Sequence, residues 1–240
     1  PILNSADPYG QRLADEFAAQ TVGDTPTADL FIEIVKLAQA QSLFRVDGVE
    51  FSMPLIGRHN VANAALALGM VRALGVTLED CVKPLASVTP VPGRLEPIVE
   101  GQPFGVYVDY AHTDDALRQV LSTLREITPG RLRVVFGCGG NRDAGKRQKM
   151  GVVAATLADS VMITTDNPRR EDPATIAEQI AEGCASAAGA DWQIELDRER
   201  AFDEILRAAM SGDTVLLAGK GHETYQEIND LVQPFDDRAM

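Results

Sequence analysis

Thr164-Thr165-Asp166-Asn167-Pro168-Arg169-Arg170-Glu171-Asp172-Pro173 stands between the apolar run Ser160-Val161-Met162-Ile163 and a helical pattern over 174–188. The run before it reads as a short buried strand, and Pro173 suits the first position of a helix, where no N–H is required. The ten residues are therefore a strand-to-helix loop. In an open α/β sheet such loops lie at the carboxyl ends of the strands, where ligands bind. An amide, a guanidinium and two carboxylates in this loop are thus placed to touch one. Asn-Pro is equally a turn former, and a turn followed by a helix cap accounts for the same residues.

Outward from this loop the same alternation repeats from Arg94 onward. Strand-like runs at 95–99, 104–108, 132–136, 160–163, 192–196 and 214–217 are mostly separated by amphipathic helices over 114–127, 146–158, 174–188 and 198–210. This spacing predicts a largely parallel sheet covered on both faces, with a hairpin at one edge. Four strands run into polar or glycine-rich loops: Asp109-Tyr110-Ala111-His112-Thr113, residues 137–147, the Asp-Asn-Pro-Arg loop, and Ala218-Gly219-Lys220-Gly221-His222-Glu223. One edge of one sheet is used four times for polar chemistry.

Upstream, a turn-rich loop over 4–10 precedes a helix over 11–20 and a strand over 30–37. Runs at 42–46 and 49–53 flank Asp47-Gly48, the dipeptide of a two-residue hairpin. An Ala/Leu-rich helix follows and ends near Gly75, with Asn60 and Asn63 on one face of its amino-terminal end. Their amides are placed to hydrogen-bond a base or phosphate, although Asn60 also suits an N-cap. Thr77 and Asp80 have capping-box spacing on the next helix. Thr89-Pro90-Val91-Pro92-Gly93 then breaks the pattern as an interdomain hinge.

The 240 residues suffice for one large domain or two smaller ones, each with its own core. A net charge of −13 and a pI near 4.6 exclude a polyanion such as nucleic acid, and an anionic membrane surface, as favoured partners. No apolar run reaches the roughly 20 residues of a membrane span, and no export signal opens the chain, which reads as cytoplasmic. Cys81, Cys138 and Cys184 have neither disulfide nor zinc spacing and read as reduced, mostly buried thiols. With Pro1 in place of methionine and an uncapped stretch over 235–240, the chain reads as a fragment at both ends.

The 137–149 stretch gathers Arg142, Lys146, Arg147 and Lys149 in an otherwise acidic chain, which points to a small anionic ligand. It is not the dinucleotide fingerprint, because Arg142 stands where the third glycine belongs. Arg142 and Arg169 suit a carboxylate, Glu223 an ammonium, and Asn167 either, so an amino-acid head group satisfies all four. A structural bridge from Glu223 to Lys220 or Arg169 is the alternative. Asp109 and His112 sit three apart without a nucleophile motif, which favours ligand hydrogen bonding over covalent catalysis. The three histidines have no metal-ligand spacing.

Gly57-x-x-Asn60-x-x-Asn63, Pro92-Gly93-Arg94, Asp109-Tyr110-Ala111-His112-Thr113, Gly137-Cys138-Gly139-Gly140-Asn141-Arg142-Asp143, Asp166-Asn167-Pro168-Arg169 and Gly219-Lys220-Gly221-His222-Glu223, in this order, resemble the Mur ligase family. They look most like its branch that adds meso-diaminopimelate to UDP-N-acetylmuramoyl-L-alanyl-D-glutamate. The resemblance implies that residues 1–92 end a central ATP-binding domain and that 93–240 form a Rossmann-like carboxyl-terminal domain. It implies ATP and Mg²⁺ as cofactors, an acyl phosphate as intermediate, and the UDP-muramoyl dipeptide as the other substrate. Asn60, Asn63, Arg94, Asp109 and His112 would face ATP; Arg142, Asp166, Asn167, Pro168, Arg169, Gly219 and Glu223 would hold diaminopimelate. Asn167 and Arg169 would select it over lysine, which lacks the distal carboxylate. The alternatives are the lysine-adding relative and a non-catalytic amino-acid- or nucleotide-binding module. The G-x-x-x-x-G-K-[ST] phosphate loop is absent from the 240 residues, as are the family's magnesium-binding acids, so these residues alone are expected to form no amide bond. Asp114 stands where the family has proline.

Overall fold

A computed structural model describes residues 1–187 and 189–240, which divide into two compact units, 1–90 and 91–240. The divide falls inside the stretch read as a hinge, between Pro90 and Val91.

In the first unit β1 (Ile2–Asn4), β2 (Gln20–Gly23), β3 (Leu30–Leu37), β4 (Ser42–Val46) and β5 (Val49–Met53) form one sheet in sequence order, parallel through β3 and antiparallel thereafter. The β4–β5 turn is the expected hairpin, with Asp47 and Gly48 at φ 47° and 83°. Helices α1 (Pro8–Phe17), α2 (Arg58–Ala73) and α3 (Leu78–Ala86) complete the unit. The helix expected over 11–20 begins earlier, because the Asp7 carboxylate accepts N–H bonds from Tyr9 (2.7 Å) and Gly10 (3.0 Å) and Pro8 takes the first helical position. What reads as a turn is a helix start. The helix also stops earlier, at a left-handed Ala18, which frees Gln20 to open β2; β1 and β2 were not apparent in the sequence. Thr77 accepts the Asp80 N–H (3.3 Å), as the capping spacing predicts. Val22, Phe44, Phe51, Met53, Val61 and Ala65 make the core, in which the Phe44 and Phe51 rings stack 5.6 Å apart.

In the second unit β6 (Glu96–Pro97), β7 (Gly105–Asp109), β8 (Leu132–Phe136), β9 (Ser160–Ile163), β10 (Asp191–Ile194) and β11 (Thr214–Ala218) form a sheet in the order β10-β9-β8-β11-β7-β6. All neighbours are parallel except the β6–β7 edge. This is the expected Rossmann-like arrangement. The helices α4 (Asp114–Ile127), α5 (Gly145–Leu157) and α6 (Pro173–Ser186) connect strands that advance towards β10, whereas α7 (Arg198–Arg207) returns the chain to β11. Right-handed crossovers then put α4 to α6 on one face and α7 on the other. Val106, Val108, Val135, Met162, Val215 and Leu217, in register across four strands, pack with Ala201, Phe202 and Ile205 of α7. Their sequence neighbours Tyr107, Val134, Phe136, Val161 and Leu216 are equally buried on the α4–α6 side.

The edge strand expected over 95–99 shortens to two residues, since Leu95 adopts φ 44° and leaves the ladder. The helix expected over 198–210 ends at Arg207, and the last position of the one expected over 174–188, Ala188, lies outside the described residues. Asp114 takes the first turn of α4 without disruption: Thr113 caps it through the Ala116 N–H (3.2 Å), and Asp114 and Asp115 face the positive end of the helix dipole. A hairpin absent from the sequence reading, β12 (Tyr225–Ile228) with β13 (Leu231–Pro234), follows β11. Cys138 and Cys184 are buried and Cys81 half-buried, all as free thiols, and burial pushes the Cys138 thiol up to about 12. Among the described residues no helix is long and apolar enough to cross a membrane.

Candidate functional site

Because β7, β8, β9 and β11 are parallel, their carboxyl ends meet at one edge and deliver the four polar loops there. The β8 and β9 loops are fastened to each other first. Gly140 donates its N–H to Asn167 O (2.9 Å), and the Arg169 Nη1 donates to Gly140 O (2.9 Å). A Cβ at Gly140 would collide with the Pro168 carbonyl, so only glycine admits this approach. Glu171 accepts the Asn141 N–H and pairs with the buried Arg147 (2.9 Å), and the Asn141 N–H, with Arg147 and against the opposing push of burial, holds its carboxyl below the ordinary value.

Two of the sequence expectations change here. Arg147 is buried and also donates to Gln179 (2.8 Å), so it stitches the fold together and is withdrawn from any anion. Of the loop's carboxylates, Glu171 is committed to this clamp and Asp172 caps α6 through Ala174 N–H (3.3 Å).

The β9 and β11 loops meet at Asn167. Its Nδ2 donates to Glu223 Oε2 (2.8 Å), and its Oδ1 accepts from the Glu227 N–H (3.0 Å) and the Lys220 Nζ (3.3 Å). This network fixes the orientation of the amide. Lys220 is fully buried, 3.5 Å from Glu223 and 5.5 Å from the Tyr225 ring centroid, so the structural bridge for Glu223 is to Lys220. Arg169 pairs with Glu227 instead (Nε to Oε2, 3.1 Å), and its main chain hydrogen-bonds along β12. Asp166 is buried beside Gly219. Burial pushes its carboxyl above the ordinary value, against the pull of Arg198 and Lys220. Pro168 is buried between the loops, while Arg142 is exposed and has no ion-pair partner among the described residues.

A second cluster forms at the β7 end. Arg94 lies over the Tyr110 ring (5.1 Å), and the rings of His112 and His222 approach it at 4.6 and 5.3 Å. Lys146 donates to His112 O (2.7 Å) and Gly219 N–H to Asp109 O (3.1 Å), which join this cluster to the other loops. Asp109 is buried, and its carboxylate accepts the Leu95 and Ala111 N–H groups, both at 2.8 Å. It therefore holds the turn beneath Arg94 and His112, which are both exposed.

In the first unit Asn60 does not cap α2. The helix starts at Arg58, and Asn60 turns its Nδ2 back to Ile56 O (2.9 Å), while Asn63 is exposed. A cavity of about 250 Å³ at the same helix end is lined instead by Arg58, His59, Ala62, Asn4 and Asp24. Among the described residues no three His, Cys, Asp or Glu side chains are gathered for a metal ion.

Sequence reasoning missed Glu227, Arg198 and Tyr110. Tyr110 stands inside a quoted motif and could have been found there; Glu227 depends on the unforeseen hairpin.

A family model, Mur ligase, glutamate ligase domain, matches residues 93–221. Over the whole chain the sequence is 42% identical to the UDP-N-acetylmuramoyl-L-alanyl-D-glutamate--2,6-diaminopimelate ligase of Streptomyces coelicolor, 50% of which is covered. It is 43% identical to the ligase of the same name from Solibacter usitatus, of which 49% is covered. A solved structure of a ligase with this name superposes with a TM-score of 0.76 at 35% identity, covering 99% of this chain and 51% of that one. The chain thus spans about half the length of the relatives it matches. With the family model covering more than half of the sequence, and the fold and ordered loops in agreement with it, the chain belongs to the Mur ligase family.

Proposed function

We propose that this chain is the amino-acid-receiving half of an ATP-dependent ligase that joins meso-diaminopimelate to UDP-N-acetylmuramoyl-L-alanyl-D-glutamate in peptidoglycan synthesis. The observation that carries it is the Asn167 network, which presents an amide and the Glu223 carboxylate in one braced cluster flanked by two arginines. Asn167 Oδ1 is filled by Lys220 and Glu227, so the amide offers a ligand its remaining Nδ2 hydrogen. Glu223 suits an ammonium, and Gly219 contributes its backbone beside it. Arg142 and the Nη2 edge of Arg169 suit the distal carboxylate that diaminopimelate has and L-lysine lacks. Asp166 and Pro168 set the loop's shape from beneath.

ATP, when bound, supplies the phosphoryl group that activates the D-glutamate γ-carboxylate as an acyl phosphate, with Mg²⁺ balancing its charge. Arg94, His112 and the Tyr110 ring fit a nucleotide at the β7 end, with Asp109 holding their turn; Asn60 and Asn63 belong to the helix end of the first unit. No residue of this chain is assigned to Mg²⁺. The chain's part is to place the attacking amine and to exclude a substrate of the wrong charge.

Calorimetry on the 240-residue chain tests the amino-acid site. Meso-diaminopimelate is expected to bind at least about tenfold more tightly than L-lysine, and Arg169→Ala to remove that difference. Equal binding of the two would refute the specificity element. With ATP, Mg²⁺ and the UDP-muramoyl dipeptide, the chain alone is expected to release no phosphate.

A further inference from the structure

Asn167 and Glu223 lie in loops that leave β9 and β11, and these strands are not neighbours, because β8 runs between them. No ladder hydrogen bond sets the spacing of the two strand ends. Below the Asn167 contacts between the loops themselves, the side chain of Arg198 reaches both strand ends. Arg198, the first residue of α7, donates from Nη1 to Thr165 O (3.4 Å) at the end of β9 and from Nη2 to Ala218 O (3.3 Å) at the end of β11. Thr165 is two residues before Asn167, and Ala218 immediately precedes Gly219.

The guanidinium is held by Asp237 of the carboxyl-terminal segment, Nε to Oδ1 at 2.9 Å and Nη2 to Oδ2 at 2.6 Å, both side chains fully buried. Phe202 lies under the guanidinium at 5.0 Å and meets the Phe235 ring edge-on. A buried ion pair is poor evidence for stability, since an apolar pair of similar volume often serves as well. An apolar pair cannot, however, donate to two carbonyls at once, and Arg is the side chain whose planar fork does so while keeping a bidentate carboxylate.

We infer that Arg198, oriented by Asp237, is a positioning residue that fixes the distance between the 166–169 loop and the 219–223 loop, and so assembles the two halves of the amino-acid site. The inference deepens the reading of that site as the diaminopimelate site and rests on it.

Three chains decide it: the wild type, Arg198→Lys, and the double variant Arg198→Met/Asp237→Leu. Each is measured by thermal unfolding, by amide exchange at Gly219 and Glu227, and by calorimetry with meso-diaminopimelate. In the double variant the melting temperature is expected to stay within a few degrees of wild type, while both amides exchange at least about tenfold faster and diaminopimelate binds at least about tenfold more weakly. Arg198→Lys keeps the charge but loses the fork and is expected to fall between the two. Wild-type exchange at both amides in a stably folded double variant would overturn the inference. Should the double variant fail to fold, the same comparison is made with Arg198→Lys, where unchanged exchange overturns it and faster exchange supports it. Should the wild type not bind diaminopimelate, the ligand reading fails by itself, and the amide exchange still decides the positioning role.

Discussion

The two sheets of this chain solve the burial problem differently. In the first unit β3 alternates, with Leu30 and Ile32 buried and Phe31 and Val35 exposed at 38% and 41%. The exposed face also carries a cross-strand set, Glu33–Arg45–Glu50, with separations of 3.2 and 3.0 Å. In the second unit every residue of β8 and β11 is buried. A sheet covered on both faces has no side-chain freedom at its strand ends, and loops that begin there inherit fixed starting points. The polar loops proposed for amino-acid binding all spring from the enclosed sheet.

Emptying the core of the one-sided sheet is the most severe perturbation. Phe51→Ala removes a fully buried ring stacked on Phe44 and is expected to destabilise the first unit by about 3–5 kcal/mol. The chain's one tryptophan, Trp192, sits on β10 of the second unit, so its fluorescence reports that unit alone during urea unfolding. Circular dichroism is expected to show an early transition that Trp192 does not follow. A shift of both signals together would mean that the two sheets unfold as one.

A smaller perturbation targets the loops while sparing the enclosed sheet. Gly140→Ala drives a Cβ against the Pro168 carbonyl, and the backbone must move. A loss of about 1–3 kcal/mol in the Trp192-detected transition is expected, together with loss of diaminopimelate binding in calorimetry. Retained binding would show that the Gly140–Pro168 approach is incidental to the site.

The two sheets also differ in how legible they were in the sequence. The enclosed sheet announced itself through apolar runs at 132–136, 160–163 and 214–217, whose period and spacing leave little choice of topology. The Asp-Asn-Pro-Arg loop was legible for the same reason, as the sequel to one of those runs. β1 and β2 were not, because at three and four residues they carry almost no periodic signal, and Asp7-Pro8 satisfies turn and helix-start chemistry equally. Nor does a sequence say which arginine is structural: Arg142 and Arg147 stand five apart in one basic run, yet one is exposed and the other is buried against Glu171 and Gln179. Arg198 reads as a helix residue among others, since what it reaches lies 20, 33 and 39 residues away along the chain.

Acid separates the units less sharply than either substitution but in a definite direction. In the second unit burial pushes Asp159 and Asp213 up, yet main-chain N–H groups and the paired arginines, Arg125 and Arg133, outweigh it and hold both below the ordinary 3.8. The Asn141 N–H does the same for Glu171 and Arg238 for Asp236. A carboxylate depressed by folding contributes stability that is full above its unfolded value and is lost as pH falls through its folded one. Asp166, raised by burial, works in the opposite sense, because protonation relieves its cost. Below the unfolded carboxylate value Asp166 is protonated in both states and adds no further slope, so the four depressed groups decide and the Trp192-detected urea midpoint is expected to fall as pH drops below about 4. A midpoint that held steady or rose there would mean that the four carboxylates are not stabilised by folding.

The smallest effect belongs to the exposed face of β3. Val35 lies on the solvent side of the alternation, where a β-branched side chain serves strand propensity more than burial. Val35→Thr keeps the branch, adds a hydroxyl that water satisfies, and is expected to change stability by no more than about 0.5 kcal/mol. The same substitution at Val134, fully buried on β8, strands a hydroxyl in an apolar layer at a cost of about 1–3 kcal/mol. Paired urea titrations of the two variants measure the difference between a covered and an uncovered face with the chemistry held constant. Equal losses at both positions would mean that the outer face of β3 is covered in solution, and the contrast between the two sheets would disappear.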